Sequence, residues 1–361
     1  MSSTAIAEIV QADQCDAAGQ HDAAINLLAR ATQRGDVDAT TRLAKRLIVG
    51  DRAPCLPHEG ARFLIDATNL GGAEASARLA VLAALGAYVT QSWQHALDLL
   101  VRAAELGWAQ AQGQLEVLAG VEANADFTGI APSGTSTRWR ELRGKVDLTF
   151  WSTPAVGTTL HDVPHIRAFA KFLPAPVCGW LIERARHRLG RAEVYDPVAG
   201  KDVVSATRTN SAAKFDLVET DLVHLLVQTR MAASCGLPLS HMEGATVLHY
   251  APGERMTPHY DFVDPRTPSY AHEIDRNGQR VLTFLVYLNE DYPGGETDFP
   301  QLNVRYKGQR GDGLYFINAH PTGEPDVRML HAGLPPLSGE KWLLSQFVRS
   351  HPVLQTSPPR P

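Results

Sequence analysis

The sequence predicts an α+β chain of more than one domain: an N-terminal α-solenoid of helical hairpins, then a strand-rich sandwich or jelly-roll barrel with flanking helices. Three observations predict it. Residues 1–120 are rich in Ala and Leu, hold no good strand run, and repeat. After Leu239 the chain breaks into short β-prone runs separated by Gly and Pro turns, the mark of an antiparallel two-sheet fold. At 361 residues, 44% hydrophobic and 20% charged, the chain has room for two or three ordinary globular domains.

The repeat has a period of 36 residues. Gly35, Gly71 and Gly107 are spaced by it (71 − 35 and 107 − 71), as are Ala39, Ala75 and Ala111, and Leu43, Leu79 and Leu115. Leu28, Leu64 and Leu100 keep the same step, as do Ala31, Ala67 and Ala103. Each unit reads as helix, Gly turn, helix. Small Ala residues let the paired helices approach, Leu fills the seam, and Gly takes the terminating position that needs φ > 0. Such units stack into a solenoid whose repeated positions are core, and whose open surface would dock a peptide or protein or, equally, serve as a cap or a dimerisation surface. The period is similar to that of Sel1-like and tetratricopeptide-like repeats.

Residues 121–164 read as a connector, with flexible-linker composition at Ala131–Thr137 and with Trp139, Phe150 and Trp151 expected to pack on neighbouring structure. A second domain is expected over 165–350, starting near 165. Its first helix is expected at Ala175–Leu189, with Val177, Trp180, Leu181 and Ala185 inward, and its second at Asp221–Cys235. Strands are expected at Ala245–Tyr250, Val281–Leu288, Asn303–Tyr306, Gly313–Ile317, Arg328–His331 and Lys341–Val348, in a set of about eight. The tail, 351–361, carries four prolines and is expected to be loose.

Formal net charge is −5 with no long basic run, which argues against a nucleic-acid partner. No apolar run reaches the roughly 18 residues that a membrane helix needs. The N-terminus lacks the basic start and continuous apolar core of a signal peptide. Four scattered cysteines without a CxxC suit reduced thiols, so a cytoplasmic location is expected.

The chemistry gathers in Gly244–Phe262. A β-prone run meets the turn Ala251-Pro252-Gly253-Glu254, and the chain then extends to deliver His259 and Asp261. Strand alternation turns these two the same way. An imidazole and a carboxylate side by side are two arms of a facial metal clamp. The third arm is expected from a distant His, here His331, 72 residues after His259 (331 − 259). Two His and one carboxylate leave open metal positions, which suits non-haem Fe(II) oxygenases. A lone His is ordinarily structural; the joint pattern overrides that reading here. Lys341 follows ten positions after His331 (341 − 331), and alternation puts it on one face with Leu343 and Ser345. If that face lines the barrel, the buried ammonium needs an anion.

These residues resemble the prolyl 4-hydroxylase-like branch of the 2-oxoglutarate- and Fe(II)-dependent dioxygenases. The resemblance runs over His249-Tyr250-x-x-Gly253, Thr257–Phe262, Thr283-x-x-x-Tyr287-Leu288-Asn289, Gly294-Gly295-Glu296-Thr297-x-Phe299-Pro300, His331-Ala332 and Gly339-x-Lys341-Trp342, within 169–349. It implies a double-stranded β-helix. It implies that His259, Asp261 and His331 are the catalytic metal ligands, and that Lys341 and Tyr287 hold the distal carboxylate of 2-oxoglutarate. Tyr250 would line the metal pocket, Thr283 shares the cosubstrate face with Tyr287, and Arg208 would lie near substrate, with a solvated surface arginine as the alternative. Fe(II), 2-oxoglutarate, O2 and ascorbate are the implied cofactors, and a prolyl residue in a peptide or protein is the implied substrate. The competing readings are hydroxylation of a free amino acid or other small molecule, a peptide-binding scaffold whose barrel has lost catalysis, and a Zn(II) or Mn(II) hydrolase on the same clamp. His241, His249 and His272 read as structural, and His320-Pro321 with Asp326 as a loop at the substrate entrance.

Overall fold

The structure, a computed structural model, describes residues 3–123, 136–196, 201–204, 208–320 and 322–353. Pro321, the Ala131–Thr135 part of the expected linker and positions 354–361 of the expected loose tail lie outside the described residues. The chain divides into two compact units, Met1–Val146 with Leu217–Leu225, and Asp147–Asp216 with Leu226–Gln355.

The first unit is built from α1 (Ser3–Ala17), α2 (His21–Gln33), α3 (Val37–Val49), α4 (Pro57–Asn69), α5 (Ala73–Leu85), α6 (Trp93–Glu105), α7 (Ala109–Leu118) and α8 (Ser136–Gly144). The three hairpins α2–α3, α4–α5 and α6–α7 carry the 36-residue period into geometry. Their turns place Gly35, Gly71 and Gly107 at φ of 80°, 89° and 87°. Around each one the same bond recurs: Asp36, Gly72 and Trp108 donate backbone N–H to Ala31, Ala67 and Ala103 at 3.1, 2.8 and 2.9 Å. Those bonds satisfy carbonyls that the helix end would leave open. The repeated Ala and Leu positions are all buried. Where α4 crosses α3, Gly60 allows contact that a side chain would block: a Cβ there would stand 2.7 Å from the Ala44 carbonyl oxygen.

The second unit carries α9 (Leu148–Ser152), α10 (Ala175–Arg186), the greater part of α11 (Leu222–Cys235) and α12 (Ala271–Asn277). Its first strands are β1 (Thr158–His161), β2 (Ile166–Phe169), β3 (Gly190–Arg191), β4 (Glu193–Asp196), β5 (Lys201–Val204) and β6 (Ser211–Lys214). The barrel strands are β7 (Thr246–Tyr250), β8 (Met256–His259), β9 (Arg280–Tyr287), β10 (Thr297–Phe299), β11 (Val304–Tyr306), β12 (Gly313–Ile317), β13 (His331–Gly333) and β14 (Lys341–Arg349). An eight-stranded sheet runs β1-β2-β12-β9-β14-β7-β6-β3, and a four-stranded sheet runs β11-β10-β13-β8. Every ladder is antiparallel. The inner faces of the two sheets bury Leu285, Tyr287 and Leu343 from the large sheet against Phe299 from the small one. This is the expected double-stranded β-helix.

Some details differ from the expectations. The strand expected over Arg328–His331 begins only at His331. Asp326 accepts from Arg328 N–H and pairs with its guanidinium, which closes a 3-10 turn over Val327–Met329. The first helix of the barrel unit stops at Arg186, three residues early. The stretch read as a connector holds α8, α9 and β1; Trp139 is buried within the first unit and Trp151 within the second.

Candidate active site

His259 ends β8 and His331 opens β13, and these two strands pair with His259 directly opposite His331. Register therefore joins two residues far apart in sequence. Asp261 lies two residues past His259. Tyr260 between them points out and stacks on Phe262, with ring centroids 4.7 Å apart. The Asp261 carboxylate sits between the imidazoles, with Oδ1 3.4 Å from His259 Nε2 and Oδ2 3.3 Å from His331 Nε2. One ligand atom from each residue falls within 4.8 Å of the others.

Backbone carbonyls set both imidazole tautomers. His259 Nδ1 faces Thr257 O at 2.9 Å and His331 Nδ1 faces Met329 O at 3.0 Å. A carbonyl only accepts, so each Nδ1 carries the proton and each Nε2 turns to the cluster. Burial alone would raise the Asp261 pKa, but the charge and hydrogen bonds of the two imidazoles outweigh it and hold the carboxyl well below its usual range. Burial would lower the His331 value, and Asp261 reverses that to a net rise. An ionised carboxylate and two imidazoles in one apolar-walled cluster fit a divalent metal. The wall is aromatic: the rings of Phe316 and Phe299 lie 4.7 and 5.5 Å from that of His331.

Lys341 is fully buried, and its Nζ has no hydrogen-bond partner among the described residues. It lies over the rings of Tyr250 and Tyr287, 4.9 and 5.7 Å from their centroids. Burial pulls its pKa down to about 7, with Glu296 opposing and Lys307 adding to the fall. An unsatisfied buried amine in a native site calls for an explanation, and a carboxylate-bearing cosubstrate supplies one. Gly295 keeps this corner open: a Cβ there would meet the Tyr292 ring at 2.7 Å and Lys341 Cδ at 3.3 Å.

The remaining residues singled out in the sequence fall as follows. Tyr250 is buried, its pKa pushed up to about 12 chiefly by burial, and its hydroxyl lies 3.5 Å from where a Cβ on Gly333 would stand. The Tyr287 hydroxyl is already engaged, with Thr297 Oγ1 at 2.8 Å and Tyr306 O at 3.1 Å. Thr283 donates to Asp261 Oδ2 at 2.7 Å. Arg208 bridges by backbone to Met256 of β8, its Nε donates to Asn210 Oδ1 at 3.1 Å, and its charge acts on Tyr250. His249 packs on Trp342 outside the cluster, at a centroid distance of 4.4 Å. Two buried polar residues had no role in the sequence reading: Thr297, quoted there only within the resemblance, which partners Tyr287, and Asn318, which donates to Thr283. The place of Thr297 in that motif hinted at the first; nothing local hinted at the second.

Parts of the chain are similar to known proteins. The 2OG-Fe(II) oxygenase superfamily matches residues 245–349. Prolyl 4-hydroxylase 1 of Arabidopsis thaliana is 30% identical over 242 residues, which are 60% of this chain and 84% of that protein. The crystal structure of the viral collagen prolyl hydroxylase from Paramecium Bursaria Chlorella virus-1, a 2OG complex, is 27% identical with a TM-score of 0.40, over 51% of this chain and 94% of that one. A Sel1 repeat protein from Oxalobacter formigenes is 21% identical with a TM-score of 0.30, over 40% of this chain and 59% of its own. The chain belongs to the prolyl 4-hydroxylase family of 2OG-Fe(II) oxygenases, and is a dioxygenase that uses Fe(II), 2-oxoglutarate, O2 and ascorbate.

Proposed function

We propose that this protein hydroxylates an unactivated C–H bond of a prolyl residue in a peptide or protein, consuming 2-oxoglutarate and O2 and releasing succinate and CO2. The observation that carries the reading is the pairing, in one barrel interior, of the His259–Asp261–His331 cluster with the unpartnered Lys341 ammonium. His259 and His331 would hold iron through Nε2 and Asp261 through a carboxylate oxygen. Three protein donors leave positions open for cosubstrate and O2. When bound, the iron supplies the oxidising chemistry that breaks a C–H bond. Lys341, protonated, would hold the distal carboxylate of 2-oxoglutarate, while the Phe299 and Phe316 rings keep water from the cluster. Tyr250 would line the cosubstrate pocket. Tyr287 would support it from behind, through Thr297. Arg208, beside β8, would face substrate.

The same reading assigns 165–350 to catalysis and 1–120 to docking. In support of docking, Leu70 and Leu106 stand exposed at matching turns, 36 apart (106 − 70). A cytoplasmic location belongs to the proposal as well. Among the described residues no helix is long and apolar enough to cross a membrane, and no disulfide joins the four cysteines.

The test is mass spectrometry of proline-containing peptides incubated with Fe(II), 2-oxoglutarate and ascorbate. A gain of one oxygen on proline, lost in His259→Ala, is expected. Oxygen gained only by free amino acids would replace the peptide reading. Glutamate at both Leu70 and Leu106 should raise the peptide KM and leave peptide-free 2-oxoglutarate turnover alone; an unchanged KM would remove the docking role.

A further inference from the structure

Asp261 is gripped by more than its two imidazoles. Thr283 Oγ1 lies 2.7 Å from Asp261 Oδ2, and Asn318 Nδ2 lies 2.8 Å from Thr283 Oγ1. All three side chains are buried, Asn318 completely. The direction of this chain of bonds is forced. An ionised carboxylate only accepts, so the single hydroxyl proton of Thr283 goes to Asp261. Thr283 Oγ1 must then accept from its other neighbour, so the Asn318 atom facing it is the amide nitrogen. Asn318 Oδ1 is left with no hydrogen-bond partner among the described residues, which agrees with the nitrogen being the atom held. Both ends are anchored. Thr283 sits mid-strand on β9, opposite Phe316 of β12. Asn318 follows β12, donating backbone N–H to Val281 O at 2.8 Å and accepting from Asp326 N–H at 3.0 Å.

We propose that Asn318 and Thr283 are positioning residues for the metal centre: a one-way hydrogen-bond relay, Asn318 to Thr283 to Asp261, holds the carboxylate in the rotation that turns it toward both imidazoles. Thr283 thus serves the carboxylate rather than the cosubstrate, since its one proton is already committed. The inference rests on the reading that the His–Asp–His cluster binds metal. Outer partners of metal ligands tune affinity by presenting the ligand in a fixed orientation.

Titration of the full-length protein with Co(II), without cosubstrate, tests it through affinity and the visible absorption of bound Co(II). Thr283→Val keeps shape and removes the hydroxyl. It should weaken Co(II) binding about ten- to hundredfold and shift the spectrum. Thr283→Ser restores the hydroxyl and should return both to near wild type. Asn318→Leu should weaken binding in the same direction. His331→Ala separates the two layers of the argument. If it binds as tightly as wild type, the metal-cluster reading fails and the relay with it. If it loses binding while Thr283→Val keeps wild-type affinity and spectrum, the relay alone is overturned. Should Thr283→Val show no cooperative melt, Asn318→Leu decides, and wild-type affinity and spectrum there overturn the relay.

Discussion

The helical unit and the barrel are stabilised by opposite means. In the helical unit each repeat brings its own partners: Ala67, Gly71 and Gly72 are neighbours in sequence and close one turn together. Its repeated buried positions, Ala and Leu, are apolar and alike from copy to copy. The barrel brings together residues 72 apart, His259 and His331, and buries groups that resist burial: Asp261, His331 and Lys341. The repeats therefore convert sequence into stability. The barrel offsets the burial of Asp261 and His331 by pairing them, and gives up stability at Lys341, whose charged form burial disfavours.

Substitutions should separate the two. The largest effect is expected at the cluster. Asp261→Ala should lower 2-oxoglutarate turnover by more than about 100-fold, beyond what loss of an outer partner costs. Its melting temperature in metal-free buffer should fall by only a few degrees, as Thr283 loses its acceptor, with a cooperative melt retained. A collapse of the fold would show that the cluster is structural, and the contrast would fail.

Lys341→Met comes next. It should weaken 2-oxoglutarate binding about 10- to 100-fold, the cost of losing a charge-assisted bond, yet stabilise the ligand-free protein. Burial holds the Lys341 pKa at about 7 against 10.5 for an ordinary lysine. Between those values the unfolded chain binds more protons than the folded one, so wild-type stability rises with pH across that window. The full penalty, on the order of a few kcal/mol by the size of that shift, is present below pH 7 and gone above 10.5. The stability gained by Lys341→Met, followed by chemical denaturation, should therefore be greatest below pH 7 and fade toward pH 10.5. A gain independent of pH would mean that the amine is not the source.

In the repeats the effects should fall on stability alone. Gly60→Ala forces a methyl against the Ala44 carbonyl and should cost about 1–3 kcal/mol, as overpacking does. Gly71→Ala meets no atom within 4 Å and suffers only its positive φ, at about 1–2 kcal/mol. Both should leave peptide-free 2-oxoglutarate turnover, measured well below the melting temperature, unchanged. A drop in that turnover would show that the two regions are not energetically separate.

What was legible in the sequence follows the same divide. The period at Gly35, Gly71 and Gly107 was readable because each turn closes within six residues, so local identity and local geometry coincide. His259 and Asp261 were readable because strand alternation is local too. Lys341 was readable through its phase with Leu343. The hydroxyl partners of Thr283 and Tyr287 were not. Each depends on which distant segment comes near: for Thr283 the residues just past β8 and β12, and for Tyr287 the residues of β10 and β11. The late start of β13 escaped because the Asp326–Arg328 pair competes locally with extension, and β-propensity does not record that competition.

By itself, then, the order of residues pointed to the two architectures, to the three side chains that cluster and to the buried cation. Their spacing and alternation follow from the fixed geometry of helix and strand. Only the folded barrel decided which hydroxyl serves which carboxylate, which phenol is already occupied, and that Asn318 belongs to the site at all. Hydrogen bonds between side chains are chosen by proximity in space, and in a two-sheet barrel proximity arises from pairings that no single segment encodes.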